Sequence, residues 1–170
     1  MTIDHLQKFC STQENRVSLA TPWSEGAYSY ACDGRVIVRI PRLADVPERD
    51  DAPKNSDANL FIGLPYEQPF TPVPTPDSED YIRCPKCKGS AECTCKECDT
   101  PHPCGKCKGE GVVLSRTNLE THSFNTLTLR LISQLLNAHW QIKADQTRVY
   151  FKFEGGDGIV TGSLLKDEKD

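Results

Sequence analysis

Tyr28-Ser-Tyr-Ala-Cys32-Asp33-Gly34-Arg-Val36-Ile-Val38-Arg-Ile40 is the stretch that decides how this chain folds. Two alternating runs flank Asp33-Gly34. In the first, Tyr28, Tyr30 and Cys32 alternate with Ser29 and Ala31. In the second, Val36, Val38 and Ile40 alternate with Arg35, Ile37 and Arg39. A period of two puts successive side chains on opposite faces of a strand. Asp-Gly between such runs supplies the positive φ of a tight hairpin turn. Pro41 ends the second strand because it has no N–H to give to a ladder.

The reading extends outward from this hairpin. Upstream, Ile3, Leu6, Phe9 and Cys10 follow helical spacing over a short first helix. Downstream, residues 43–80 change character: Pro47, Pro53, Pro65, Pro69, Pro72, Pro74 and Pro76 fall there, with an acidic run at 48–51. Leu60-Phe-Ile-Gly-Leu64 reads as a short strand. Phe70-Thr-Pro-Val-Pro-Thr-Pro76 reads as an extended, semi-rigid linker. Beyond residue 114, Asn125 is a plausible N-cap for a helix running to about Asn137, with Leu127, Leu131, Ile132, Leu135 and Leu136 as its apolar face. Trp140, Ile142 and Ala144 form a short strand. Val149, Phe151 and Phe153 form a clearly alternating one. Gly155-Gly-Asp-Gly158 reads as a turn and Ile159-Val-Thr161 as the return strand, before a charged tail at 166–170.

A helix-plus-strands unit therefore precedes residues 81–114 and another follows. Neither half has much core alone. The fold class read from this is α+β: one domain with two helices and an antiparallel sheet, made from 1–80 and 115–170, carrying 81–114 on an inserted, loop-rich arm.

That insert holds the anomaly of the composition. The chain has 170 residues, a formal net charge of −4 and nine cysteines; its mean hydropathy is −0.52. No apolar run approaches the ~18 residues of a membrane span. The N-terminus has neither a basic nor an apolar signal region, so a cytoplasmic protein is expected. The acidic balance argues against a general nucleic-acid coat. Seven cysteines lie between Cys84 and Cys107, and clustering of this kind in a cytosolic chain indicates metal before disulfides. Cys84-Pro-Lys-Cys87 and Cys104-Gly-Lys-Cys107 are two Cys-x-x-Cys knuckles separated by residues 88–103, the spacing of a zinc-ribbon site. Each turn aims two thiolates at one point, about 2.3 Å from each sulfur, and the second completes a tetrahedron. Between them, Cys93, Cys95, Cys98 and His102 make a Cys3His set, a composition also found in structural zinc sites. Two zinc ions are expected on these eight ligands. The plainer alternative is one ion on the outer four, with spare thiols inside.

Charge follows from the metal. Between Tyr81 and Lys108 six Lys/Arg face three Asp/Glu, formally +3. Four thiolates on a zinc ion contribute −2 and a Cys3His site −1, so the module is near neutral with lysines as its exposed charge. Lys86, Lys88, Lys106 and Lys108 are candidate nucleic-acid contacts through phosphate; the alternative is a solvated rim.

Cys104 to Gly111 matches Cys-x-x-Cys-x-Gly-x-Gly in full, and Cys84 to Gly89 matches its first half. This resembles the cysteine-rich domain of DnaJ-type Hsp40 cochaperones. The resemblance implies one zinc shared by the first and last repeats, here Cys84, Cys87, Cys104 and Cys107. The middle repeats are compressed and lack their glycines. No His-Pro-Asp J-domain signature is present. In the flanking halves, Ala31-Cys-Asp-Gly-Arg35 and Phe124-Asn-Thr-Leu-Thr-Leu-Arg-Leu-Ile-Ser-Gln-Leu-Leu136 resemble elements of bacterial sliding clamps, the DNA polymerase processivity factors. That resemblance implies the fold of a single clamp domain. It does not imply DNA encirclement: the chain has room for one such domain, and the second helix carries only Arg130 as a basic residue. A single-copy protein of this kind looks like a phage accessory protein.

No nucleophile elbow, phosphate-binding loop or His-Glu-x-x-His occurs. His5, His122 and His139 are scattered and read as surface or core residues; Cys10 and Cys32 read as small hydrophobes. The expectation is a non-enzymatic zinc protein that presents its module to a protein partner, with no membrane association. A nucleic-acid-binding zinc protein is the first alternative, and a thiol-disulfide or redox-sensitive chaperone the second. Sheet edges make a homodimer a further expectation.

Overall fold

The computed structural model of the chain describes residues 1–49, 58–61, 69–94 and 100–165. Helix α1 (Ile3–Gln7) is followed by a 3-10 segment (Glu14–Leu19) and three strands, β1 (Trp23–Glu25), β2 (Tyr28–Cys32) and β3 (Val36–Pro41). After a second 3-10 segment (Ala58–Phe61) comes β4 (Thr71–Pro72). The cysteine segment contributes β5 (Tyr81–Arg83), β6 (Glu92–Thr94), β7 (Pro101–Pro103) and β8 (Val112–Leu114). Then follow β9 (Arg116–Leu119), β10 (His122–Asn125), α2 (Thr126–Ser133), β11 (His139–Gln141), β12 (Arg148–Phe153), β13 (Gly156–Thr161) and β14 (Ser163–Leu164). The class is α+β with antiparallel sheets.

The hairpin at Asp33-Gly34 forms as its residues demand. Asp33 Oδ1 accepts from the N–H groups of Arg35 and Val36 at 2.7 and 2.9 Å, and Gly34 takes φ +89°. An aspartate that bonds its own backbone two residues on fixes the turn locally. Strands β2 and β3 pair from Cys32↔Ile37 to Tyr28↔Pro41.

The same order occurs twice: a helix, then an antiparallel meander of three strands. The first copy is α1 with β1–β3, and the second is α2 with β11–β13. Their last strands pair with each other, Val36↔Val160 to Arg39↔Asp157, to give one seven-stranded sheet in the order β1-β2-β3-β13-β12-β11-β4. Both helices lie on one face. Leu6, Phe9, Leu129 and Ile132 pack there against Val36, Val38, Val149, Phe151 and Val160, all nearly or fully buried. The other face buries Trp23, Tyr30, Ile37, Phe61, Tyr150 and Ile159. On that face Arg39 grips Asp157 with two bonds of 2.6 and 2.9 Å, its guanidinium lies 3.9 Å from the centre of the Phe61 ring, and Tyr150 donates to Asp157 at 2.6 Å. The charges are paired before they are buried, as desolvation requires.

Several elements differ from the sequence reading, each for a physical reason. Helix α2 is capped as expected, Asn125 accepting from the Thr128 N–H at 3.1 Å, but it stops at Ser133. Asn137 then takes φ +56° and Leu136 is 65% exposed, so the apolar face ends one turn early. Residues 70–76 are more than a spacer: Thr71 and Pro72 pair with Trp140 and His139, and Val73 is buried. Proline is tolerated there because β4 is an edge strand. Leu60 and Phe61 lie in a 3-10 segment rather than a strand, while 62–64 and the tail at 166–170 lie outside the described residues. Strand β11 ends at Gln141, before Ile142 and Ala144.

The largest difference is at Gly156 and Gly158. They are not turn residues but strand residues directly opposite Phe153 and Phe151. The turn is Glu154-Gly155, with Gly155 at φ +83°. Both aromatic rings lie across the glycines. A Cβ at Gly158 would stand 2.7 Å from the Ile37 carbonyl oxygen and would collide with the Phe151 ring. We predict that Gly158→Ala overpacks this position and costs about 1–3 kcal/mol of folding stability, read from urea unfolding; an unchanged midpoint would contradict the packing.

Candidate metal centre

Residues 81–114 fold on a local logic. Strand β5 pairs with β8, Ile82↔Val113 at the middle, and β6 pairs with β7, Cys93↔His102 at the middle. A knuckle sits at the start of each half. The two knuckles have the same backbone. Lys88, Gly89 and Ala91 take φ +54°, +93° and +68°; Lys108, Gly109 and Gly111 take +53°, +86° and +75°. Each half closes the other: Cys84 N–H donates to the Gly111 carbonyl and Cys104 N–H to the Ala91 carbonyl, both at 2.8 Å. Ser90 N–H donates to Cys87 O at 3.1 Å and Glu110 N–H to Cys107 O at 3.0 Å. The segment is thus a pair of equivalent turns related by an approximate two-fold.

This geometry brings Cys84, Cys87, Cys104 and Cys107 together. Their sulfurs all lie within 4.8 Å of one another and all four residues are buried. Cys84 Sγ is 3.9 Å from Cys104 Sγ, and Cys87 Sγ is 3.7 Å from Cys107 Sγ. A tetrahedron with metal–sulfur bonds of about 2.3 Å has edges of about 3.8 Å. A disulfide would need about 2.05 Å. The spacing is that of ligands around a common ion.

The backbone also favours the thiolate at two of the four sulfurs. The N–H groups of Cys107 and Lys106 point at the Cys104 sulfur and bring its thiol down to about 6. Burial opposes ionisation of Cys87, but bonds led by the Gly89 N–H bring it below the ordinary thiol range. Gly111 N–H reaches Cys107 Sγ at 3.3 Å, yet burial pushes that thiol up to about 11. Four adjacent buried sulfurs cannot all ionise without a cation to balance them. A divalent metal resolves that conflict and releases protons as it binds.

Of the set expected for a second ion, only Cys93 and His102 are among the described residues. His102 is exposed and stands opposite Cys93 in the β6–β7 ladder. Cys93 packs against the four sulfurs of the first set. Cys95 and Cys98 lie outside the described residues. Lys86, Lys88, Lys106 and Lys108 are all exposed, and none makes an ion pair with a described residue.

The sequence reading missed what holds the base of the segment. Arg130 of α2 donates to Asp80 Oδ1 at 3.0 Å, to the Pro76 carbonyl at 3.1 Å and to the Ser78 carbonyl at 2.5 Å. Ser115 is buried, donates to Glu79 O, and its carbonyl accepts from Thr126 N–H at 3.2 Å. The one basic residue of the second helix is therefore spent on clamping residues 76–80. Nothing local in the sequence signals a bond between positions 50 residues apart.

The other candidates are structural. His122 is fully buried; Nε2 donates to the Gln146 carbonyl at 2.6 Å, Nδ1 bonds Thr121 Oγ1 at 3.0 Å, and the ring stacks on Phe124. His5 is exposed and bonds Thr2, while half-buried His139 bonds the Asn137 carbonyl. Burial raises the Cys10 thiol to about 11 and also raises Cys32, which keeps both as protonated small hydrophobes. No helix among the described residues is long and apolar enough to cross a membrane.

Comparison of the chain with protein-family models, with curated proteins and with solved structures finds no match.

The two-fold makes an asymmetric prediction. Gly111 approaches the other half so closely that a Cβ would stand 2.8 Å from the Gly89 carbonyl oxygen, whereas Ala91 already carries one at a comparable φ. We predict that Ala91→Gly relieves left-handed strain of about 1 kcal/mol, while Gly111→Ala weakens metal binding and lowers the unfolding midpoint. Calorimetry of the metal-loaded proteins reads both. A second prediction concerns the clamp: Arg130→Ala should raise amide exchange across residues 76–80 and 115–117 while leaving the four thiols metal-protected.

Proposed function

We propose that the chain is a non-enzymatic metal-binding protein in which Cys84, Cys87, Cys104 and Cys107 hold one zinc ion. In this reading the metal makes residues 81–114 a rigid element offered to a protein partner. The observation that carries it is the set of four buried sulfurs at tetrahedral spacing. Zinc follows from the chemistry of the donors, since soft thiolates in a tetrahedral set suit zinc and leave no position for water. An ion closed in this way is structural. It replaces the hydrophobic core that a segment of this size cannot build.

The partner is argued from the surface beside the ion. On the ribbon formed by β5 and β8, Tyr81 and Ile82 are 51% and 48% exposed and Val112 is 39% exposed. Apolar side chains left open on a ribbon that the metal stiffens suit a protein surface. The resemblance to the DnaJ-type module supports the same reading. The helix-and-meander unit that occurs twice in the larger sheet supports the resemblance to a clamp domain, as fold alone. A nucleic-acid partner is the second reading, favoured by four exposed lysines that make no ion pair with a described residue. It requires binding that weakens steeply with salt.

Elemental analysis of the purified protein, with a parallel thiol titration, tests the proposal. We expect one zinc per chain, loss of the ion on acidification as the thiolates protonate, and Cys84→Ser protein that purifies without metal. Full-length protein with no bound metal and four freely reactive knuckle thiols would overturn it.

A further inference from the structure

A tetrahedral zinc ion takes four sulfurs, and this centre has five within contact. Strands β6 and β7 pair Cys93 with His102, and the ladder continues through the bond from Cys104 N–H to the Ala91 carbonyl. Ala91 therefore stands opposite Cys104, and Cys93 is the diagonal neighbour of Cys104 on the same face of the ribbon. Diagonal pairs of this kind are within side-chain reach. The Cys93 side chain is half-buried and packs on the four-sulfur cluster. The geometry of the four outer sulfurs is already complete without it. Cys93 is thus a fifth sulfur held against the four, outside the set that shares tetrahedral spacing.

From this juxtaposition we propose that Cys93 and Cys104 form an oxidation site through which a peroxide releases the metal reversibly. The inference rests on the zinc reading above. The chemistry balances in two steps. The Cys104 thiolate attacks a peroxide oxygen: the O–O bond breaks, sulfur gives up two electrons, and Cys104 sulfenic acid and hydroxide form. The Cys93 thiol then attacks the sulfenic sulfur, the S–S bond forms, and water leaves. Cys104 can no longer ligate, and three remaining thiolates hold zinc far less tightly. Cys84 also faces Cys104 at 3.9 Å, but its sulfur is engaged in the site and Cys93 is not. The fifth thiol also explains why the lesion is recoverable: a disulfide is reduced by thiols, whereas unresolved sulfenic acid advances to sulfinic acid, which is not.

The test uses full-length, zinc-loaded protein and hydrogen peroxide. Released zinc is followed with a chromogenic chelator, and samples are alkylated and mapped by peptide mass spectrometry. We expect the first bridge to join Cys93 and Cys104, and zinc to rebind fully after treatment with a thiol reductant. Cys93→Ser should still purify with one zinc per chain. Its Cys104 should be trapped by a sulfenic-acid reagent, and roughly half or more of its zinc-binding capacity should be lost irreversibly after the same exposure. A Cys93 that stays open to alkylation after zinc has left would overturn the proposal, as would a Cys93→Ser protein that recovers like the wild type. Two zinc ions per chain with Cys93 protected by metal would also overturn it, making Cys93 a ligand while leaving the zinc reading intact. Absence of zinc at the outset is a failure of the zinc reading itself and is seen before peroxide is added.

Discussion

The pairing of β3 with β13 is the constraint on which the rest depends. It joins residues 36–39 to residues 157–160, so strands from the two ends of the chain lie side by side at the middle of the sheet. Two three-stranded meanders become one sheet along that seam, and the two helices then share a face to cover. The seam needs a strand with small residues at its centre. Gly156 and Gly158 provide it, letting Phe151 and Phe153 lie flat between β12 and the backbone of β3. A side chain at either position would push the aromatic layer away from the neighbouring strand, and the core on the helical face would open with it.

The cysteine segment depends on a different kind of interaction. Among the described residues it has no apolar core of its own, and its buried side chains are those of four cysteines. What replaces the core is a reciprocal pair of backbone bonds, Cys84 to Gly111 and Cys104 to Ala91, to which the proposed ion would add charge balance for four thiolates. The two effects act on the same atoms. The carbonyl exchange sets the distance between knuckles, and that distance is what places the sulfurs at the edges of a tetrahedron. Arg130 and Ser115 then tie the base of the segment to α2.

Much of this was legible in the residues, and the illegible part has a common cause. The Asp33-Gly34 hairpin, the Asn125 cap and both Cys-x-x-Cys knuckles are decided by neighbours within four positions, through φ preferences and side-chain-to-backbone bonds. The misread elements were those in which a local signal competes with a distant partner. A cluster of glycines at 155–158 has turn composition, yet two of the four are strand because aromatic rings opposite need the space. A proline-rich run at 70–76 has linker composition, yet Thr71 and Pro72 complete a sheet edge. Cys93, read by spacing with Cys95, Cys98 and His102, also packs against the four knuckle sulfurs; Cys95 and Cys98 lie outside the described residues.

The turn chemistry, the α+β class and the four knuckle cysteines as candidate ligands are legible in the residues, because each follows from residue types at short separation. Which strands meet at the seam, where Arg130 spends its charge, and that a fifth sulfur lies against the four are visible only in three dimensions. Those depend on contacts between residues far apart in the chain, whose cost in chain entropy is met only when the whole sheet forms together.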